Sequence, residues 1–428
     1  MKIEHEIERF RQKDRHSIKQ LSKVKRDQKY LEIGKKIVDS KLLPDQKFKL
    51  YYELGWICFE NGDFKCLIDC WKKSCGINVI EPQNIELKGD LLELFERYEE
   101  AIVSYDNALK LIPNADDVWN KRGIVLDELG RHEEAIASYD HALKLDPDND
   151  AAWYNRGIAL KALSCYKEAI TSYNCALELN PNDDDIWHSQ GILLGKLGRH
   201  EEAVISYDHA LKINPENDAA WYNRGISLVE LGRHEEAIVS YDHALKISPG
   251  NDAAWHNQGL VFNELARHEE AIASYNCALK LNPNDDDTRY NRGLSLNKLG
   301  RYEEAIADCN RVLELNPEHH KAWFNRGYSL YQLGRYEAAI ASYEHALEQD
   351  SKTYFYWYFH YRSLIQLRRV QDAEGSLAKS FQLNPEATIN LYFDGFTKKF
   401  PLFRCIFVFM RKVAVKIAPI FMDDQDED

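Results

Sequence analysis

The sequence NDAAWYNRGI occupies Asn149–Ile158 and recurs unchanged at Asn217–Ile226. The second copy begins 68 residues after the first. Tryptophan explains this interval, because it recurs every 34 residues along the chain. The slots hold Trp119, Trp153, Trp187, Trp221, Trp255, Arg289, Trp323 and Trp357. A fixed period of this length is the signature of a repeat architecture, so the two copies lie two repeat units apart.

Each unit of 34 residues is predicted to contain two helices. When Asp116 is counted as position 1, the Trp at position 4, the Gly at 8 and the Leu at 11 have the spacing of one helical face. A glycine at position 15, such as Gly130, is expected to end that helix. The second helix, HEEAIASYDHALKL from His132, is predicted to end before Pro147. Asp150 is expected to cap the first helix of the next unit.

The repeated residues resemble those of the tetratricopeptide repeat (TPR) family. The shared pattern is Trp at position 4, Gly at 8, Ala at 20, Tyr at 24, Ala at 27 and Pro at 32. The resemblance extends to the long arrays of bacteria and cyanobacteria. It implies an all-α, right-handed α-solenoid (superhelix) of about ten 34-residue helix-turn-helix repeats. The family usually has leucine at position 7, where Arg122 and Arg156 stand here, so we expect these guanidinium groups to find carboxylates or carbonyls.

The repeat register predicts four regions. Residues 1–47 are predicted to be a helical segment that is basic, with 14 Lys/Arg against 8 Asp/Glu. Residues 48–115 are predicted to hold two degenerate TPR units, and residues 388–428 a cap or amphipathic helix followed by an acidic tail. Eight regular units are predicted between them, at 116–149, 150–183, 184–217, 218–251, 252–285, 286–319, 320–353 and 354–387.

Composition and motifs restrict the possible function. A net charge of −14 argues against a protein that binds nucleic acid by neutralising phosphates. The sequence has no phosphate loop, dinucleotide fingerprint or zinc-protease motif, so we expect no cofactor, no small-molecule substrate and no enzymatic activity. The charged start Met1–Phe10 lacks the apolar region of a secretory signal. Nine cysteines without a regular pairing pattern suggest a reducing compartment, and we expect a cytoplasmic protein.

Three patterns contain metal-ligand residue types, and all are interpreted as structural. The acids of Asp146–Asp150 lack the Gly and Glu that a calcium loop requires. A His/Cys stripe at position 26 places its members two helices apart, too far to share one ion. Cys66 and Cys70 could supply two ligands from one helix face, but the spacing of Cys58, Cys66, Cys70 and Cys75 matches no common zinc module. We expect buried packing there and no metal site.

The first helix of each unit lines the concave surface of TPR proteins, where repeat proteins bind partners. Position 6 lies about 200° around the helix from the tryptophan at position 4, so it faces away from the packed side. The TPR region of O-GlcNAc transferases has a similar asparagine ladder. Asparagine both donates and accepts hydrogen bonds, so a row of them can hold a peptide backbone, although it could also only brace neighbouring helices. The predicted peptide-binding groove contains Asn155, Asn223, Asn257, Asn291, Asn325, Tyr154, His188, Tyr222, His256, Tyr290, Phe324 and Tyr358.

These features predict a non-enzymatic protein–protein interaction scaffold that binds a peptide or helical segment and assembles a multiprotein complex. The alternative is a peripheral membrane-associated adaptor, because residues 396–422 combine basic and apolar residues and could contact a membrane surface. Packing of that segment against the array is the favoured interpretation. The aromatic run Tyr354–Tyr361 is open to two interpretations, as a binding anchor or as a cover for the end of the array.

Overall fold

The computed structural model describes a largely helical chain with no strand among its described residues. Most of the predicted basic segment 1–47 lies outside the described residues, as do the acidic tail and residues 400–422 of the predicted amphipathic helix. None of the described helices is long and apolar enough to cross a membrane. The structure describes residues 29, 31–33, 36–37, 42–61 and 63–399.

The helices alternate in length along the regular units, with 13 residues in the first helix and 14 in the second. In chain order they are α1 Pro44–Glu60, α2 Phe64–Cys75, α3 Pro82–Leu94, α4 Tyr98–Leu111, α5 Asp116–Glu128, α6 His132–Leu145, α7 Asp150–Ala162, α8 Tyr166–Leu179, α9 Asp184–Lys196, α10 His200–Ile213, α11 Asp218–Glu230, α12 His234–Ile247, α13 Asp252–Glu264, α14 His268–Leu281, α15 Asp286–Lys298, α16 Tyr302–Leu315, α17 His320–Gln332, α18 Tyr336–Gln349, α19 Tyr354–Gln366, α20 Val370–Leu383 and α21 Pro385–Lys399.

The chain divides into two compact bodies, residues 1–215 with α1–α10 and residues 216–428 with α11–α21. Within each body, every odd-numbered helix packs against the even-numbered helix that follows it. That helix packs in turn against the next odd-numbered one. This serial packing of helix pairs, each touching only its neighbours, confirms the predicted all-α solenoid fold.

In most units the close approach of the two helices depends on the glycine at position 8. A Cβ added to Gly157 would lie 2.3 Å from Cε1 of Tyr173, the fully buried tyrosine at position 24 on the next helix. The tyrosine ring therefore occupies the space that a side chain at position 8 would need. In the last predicted unit the large side chain is at position 8, where Tyr361 replaces glycine, and Leu377 replaces tyrosine at position 24.

The first helix of a unit is capped one residue earlier than the sequence predicts. Asn149 has an extended backbone, and its side chain accepts a 2.9 Å hydrogen bond from the backbone N–H of Ala152. Asp150 lies at the first helical position, where its carboxylate accepts from Ala151 N at 2.9 Å. The prediction that Asp150 caps this helix is wrong, because the side chain of Asn149 already accepts the capping hydrogen bond from the first turn.

The tryptophan at position 4 joins the turn between units to the second helix. Trp187 donates from Nε1 to the carbonyl oxygen of Pro181 at 3.0 Å, and its ring stacks on His209 with centroids 4.4 Å apart. The same stack joins Trp119 to His141 at 4.6 Å. The histidines of the stripe at position 26 therefore pack on the tryptophan of their own unit.

Candidate functional site

The predicted groove residues lie on first helices that touch each other directly within each body. In the first body, Asn155 on α7 donates from Nδ2 to Oδ1 of Asn120 on α5 at 3.3 Å. In the second body, Asn257 on α13 donates from Nδ2 to the hydroxyl of Tyr222 on α11 at 3.0 Å. Position 6 of one unit thus bonds to position 5 of the unit before it. The amides brace neighbouring helices, as the alternative interpretation of the row expected.

Aromatic residues at position 5 lie over the buried tyrosine at position 24 in the units that have both. The ring centroids of Tyr154 and Tyr173 are 5.7 Å apart, and those of Tyr222 and Tyr241 are 6.1 Å apart. Burial raises the pKa of Tyr154, so its hydroxyl stays protonated near neutral pH. Burial lowers the pKa of His188 at the same position, which favours the neutral imidazole there. The row at positions 5 and 6 thus presents mainly uncharged polar groups.

Lys121 occupies position 6 in the first regular unit, where most later units have asparagine. Its ammonium group donates to Glu86 at 2.5 Å and to Asp90 at 2.9 Å, both on α3. Burial opposes the charge, but the two carboxylates hold the pKa of Lys121 above its usual value. At this end of the row, the ion pairs of Lys121 therefore link α5 to α3.

Two predicted groove residues are not accessible. Asn325 is 6% exposed and Tyr358 is 3% exposed. The hydroxyl of Tyr358 donates to the carbonyl oxygen of Leu391 on α21 at 2.8 Å, so the last helix covers it. Neither side chain presents a binding surface in this conformation. The half-buried members of the predicted set are Asn155, Asn223, Asn257, Asn291, Tyr154, His188, Tyr222, His256, Tyr290 and Phe324.

An aromatic cluster lies at the groove positions of the last two units. Phe324 and Tyr328 on α17 contact Phe359 on α19, with centroid separations of 5.5 and 5.6 Å. Phe355 lies 5.0 Å from Phe324 and completes the cluster. All four rings are half-buried. The predicted peptide-binding set includes only Phe324 of these four residues, although the change to aromatic residues at positions 2, 6 and 9 was visible in the sequence.

The arginine at position 7 bonds to two flanking helices. Arg156 on α7 donates from Nε to Asp140 Oδ1 on α6 at 2.7 Å and from Nη1 to Ser172 Oγ on α8 at 2.7 Å. These partners lie 16 residues before and after it. Its guanidinium carbon is 5.9 Å from the Trp153 ring centroid, within the range of a cation–π contact. Equivalent links are made by Arg122, Gln190, Gln258, Arg292, Arg326 and His360.

One unit has a different version of this link. Asp308 replaces serine at position 23 and is 3% exposed. It accepts from Arg292 Nε at 2.8 Å, and Nη1 of Arg289 lies 3.7 Å from it. Arg289 itself occupies the position where the other regular units have tryptophan. This unit therefore has two arginines, Arg289 and Arg292, and both contact the buried carboxylate of Asp308.

Three of the four cysteines near the start of the array come together. The Sγ atoms of Cys58, Cys66 and Cys70 all lie within 4.8 Å of one another. Cys75 is buried outside this group, and burial raises the pKa of its thiol to about 11. The sequence suggested two ligands on one helix, but α1 contributes a third. The expectation of mere packing overlooked this arrangement, because the third cysteine comes from a different helix.

The helix pairs and their recurring contacts define an α-solenoid of 34-residue helix-turn-helix repeats. The chain belongs to the tetratricopeptide repeat family. A tetratricopeptide repeat profile matches residues 188–252 and 290–352, and a TPR repeat profile matches 126–164 and 259–300. A third tetratricopeptide repeat profile matches 151–183. TPR proteins generally mediate protein–protein interaction and complex assembly, and they are typically not enzymes.

Several solved structures are similar in fold. YrrB, described as a TPR protein with an unusual peptide-binding site, is 24% identical, with 42% of this chain and 92% of that chain covered and a TM-score of 0.40. MamA is 25% identical over 38% of this chain and 94% of its own, with a TM-score of 0.37. A TPR protein from Parabacteroides merdae is 20% identical over 58% and 98%, with a TM-score of 0.42. No curated protein matches the chain.

Proposed function

We propose that this protein is a non-enzymatic interaction scaffold that binds a peptide or helical segment along its first helices and assembles a multiprotein complex. The observation that carries the proposal is the row of half-buried amide and aromatic side chains at positions 5 and 6, with a direct hydrogen bond between adjacent first helices in each body. Two degenerate units at 48–115 and eight regular units at 116–387 form this scaffold in our proposal.

The amides in the row have hydrogen-bonding capacity beyond the brace. The Asn257 side chain carries two N–H groups and a carbonyl oxygen, and its bond to Tyr222 engages one N–H. The side chain is half-buried, so a backbone that lies along α13 can reach it. The brace holds the amide in one orientation, which lowers the entropic cost of binding. Bracing and ligand binding are therefore compatible in the same residue.

Apolar side chains run beside the amides at position 9. Ile158 and Ile192 are half-buried on α7 and α9, and Leu260 and Leu294 are half-buried on α13 and α15. A surface that combines amides with aliphatic side chains suits a segment with one apolar face, as in helix-in-groove recognition. The aromatic cluster around Phe359 adds the residue type that most often anchors interfaces.

Site-specific photo-cross-linking tests the proposed surface. A photoreactive amino acid is placed at Ile158 in one variant and at Leu294 in another, both at position 9 of a first helix. Matched controls carry it at Ile205 and Val239, which are 56% and 52% exposed on second helices. In native lysate we expect the position 9 variants to cross-link a shared set of proteins that the controls do not. Equal cross-linking from both faces contradicts the proposal.

Quantitative binding to the captured partner tests the amides. Asn291→Ala is expected to raise the Kd by about 2–10-fold, because one hydrogen bond contributes roughly 0.5–1.5 kcal/mol. Asn107→Ala is the matched control, since Asn107 is exposed on the second helix α4. Calorimetric titration measures both values. An unchanged Kd for Asn291→Ala and for the equivalent change at Asn257 excludes the amide row from the site.

A further inference from the structure

The cysteine cluster at the start of the array joins two helices of one pair. Cys58 lies near the end of α1, and Cys66 and Cys70 lie one turn apart on the same face of α2. The Sγ atoms of Cys66 and Cys70 are 4.0 Å apart, and all three sulfur atoms lie within 4.8 Å of one another. Three sulfur ligands thus converge on a single point between the helices.

The local structure positions these sulfur atoms well. Asp63 caps α2 by accepting a 3.0 Å hydrogen bond from the backbone N–H of Cys66, which fixes the first turn. Cys58 is 2% exposed and Cys70 is 6% exposed, so packing holds both side chains. Cys66 is half-buried and faces solvent on one side. The cluster therefore has a rigid inner part and an open outer edge.

We propose that Cys58, Cys66 and Cys70 bind one soft d10 metal ion, Zn²⁺ or Cu⁺, as three thiolates. A Zn–S bond is about 2.3 Å long, and tetrahedral geometry then places two sulfur ligands about 3.8 Å apart. The observed separations exceed that value by about 1 Å or less, which small side-chain rotations close. Thiolate ligands select these metals over harder cations.

The surroundings suit an ion with an exchangeable fourth position. Cys66 and Cys70 line a surface cleft of about 410 Å³ that also contains Asp69, Lys65 and Lys73. Three thiolates and Zn²⁺ carry a net charge of −1, and Lys65 and Lys73 lie in the same cleft. In the proposed site, a water molecule from the cleft completes the four-coordinate geometry. A site with three protein ligands and one open position permits metal exchange or transfer, whereas structural zinc sites are closed by four ligands.

Metal binding needs deprotonated cysteines, so the reduced cluster is the form that binds the ion. A disulfide is the competing state of such a cluster, but its S–S bond of about 2.05 Å is half the 4.0 Å separation seen for Cys66 and Cys70.

Metal titration of the full-length reduced protein tests the site. After chelation and desalting, Zn²⁺ and Cu⁺ are titrated in separate arms against a chromophoric competitor, and Co²⁺ provides a spectroscopic probe. We expect one ion per chain and a thiolate-to-cobalt charge-transfer band. Cys70→Ser should weaken binding by at least about 100-fold and remove the band, because it deletes a direct ligand. Cys66→Ser is the second ligand variant, and its half-buried position makes it the milder change to the fold.

Cys75→Ser is the matched control, because Cys75 is buried on the same helix but outside the cluster. It should retain the affinity and the cobalt band. Circular dichroism verifies that each variant is folded. Uptake of either metal supports the proposal and identifies the ion. Failure of the reduced protein to bind either ion, or equal binding by Cys66→Ser and Cys75→Ser, overturns it. A Cys66–Cys70 disulfide in the natively purified chain, with no metal uptake after reduction, also overturns it.

Discussion

Replacing Arg292 with methionine tests the link at position 7 where the carboxylate partner is most deeply buried. Methionine keeps most of the apolar stem but removes the guanidinium group. Asp308 would then lose the hydrogen bonds from Arg292 while its side chain remains 4% exposed. Arg156→Met is the matched control in the first body. The two arginine side chains are equally exposed, at 22%, but Asp140 is 43% exposed.

The burial of the carboxylate sets the expected magnitude. Removing one partner of a buried ion pair costs about 3–5 kcal/mol, because the other charge stays buried and unpaired. Arg289 remains 3.7 Å from Asp308 and offsets part of this loss, so we expect Arg292→Met to lower the local stability by about 3 kcal/mol. Asp140 can be solvated by water when Arg156 is removed, so that variant should lose about 1 kcal/mol or less.

Hydrogen exchange followed by mass spectrometry is the suitable assay, because repeat arrays open locally and do not unfold as one two-state unit. Peptides from α15 and α16 should exchange about 100-fold faster in Arg292→Met, since each 1.4 kcal/mol corresponds to a factor of ten. Peptides from α7 and α8 should change by about fivefold in Arg156→Met. Adding Asp308→Ser to Arg292→Met removes the unpaired carboxylate and should restore most of the protection.

Two results would refute this reasoning. The first is an equal effect of Arg292→Met and Arg156→Met, which would show that burial of the acid does not determine the cost. The second is a failure of Asp308→Ser to restore protection, which would mean that the loss arises from packing of the arginine stem.

Three further predictions concern backbone strain, packing and pH. Ala266→Gly should stabilise the protein by about 0.5–1 kcal/mol in thermal unfolding, because Ala266 has φ 57° and glycine tolerates this conformation; a lower Tm argues against strain there. Gly225→Ala should lower the free energy of unfolding by about 1–3 kcal/mol, because the new Cβ would lie 2.6 Å from Tyr241 Cε1. Gly293→Ala should be neutral or stabilising, because its Cβ would meet no atom closer than 3.6 Å. The pKa of His188 is lower in the folded protein than in the unfolded chain, so its contribution to stability is complete above the unfolded-state pKa. Stability should therefore fall as the pH drops through about 6.5, and the fall should be less steep in His188→Gln. Equal pH slopes for the two proteins exclude this contribution.

The helix pairs could be predicted from the sequence because the evidence for them is local. The period of 34 residues and the 3.6-residue spacing within each unit recur in the linear order of residues. Helical geometry also placed Asn155 on the face opposite Trp153, and Asn155 and Asn257, both at position 6, each bond to the first helix of the preceding unit. The same reasoning failed for Asn325. Its helix faces α19, whose first-turn residues are aromatic, and burial by a neighbouring helix is not visible in one helix's periodicity.

The sequence by itself determined the repeat, the helix pairs and the face of each helix, because these depend on contacts between residues close in the chain. The tertiary structure alone decided which groups meet across helices. It gave Arg156 its partners 16 residues away on both sides, and it brought Cys58 to the two cysteines of α2. Such meetings depend on how adjacent helices cross and which rotamers their packed side chains adopt, and neither is contained in the period of the sequence.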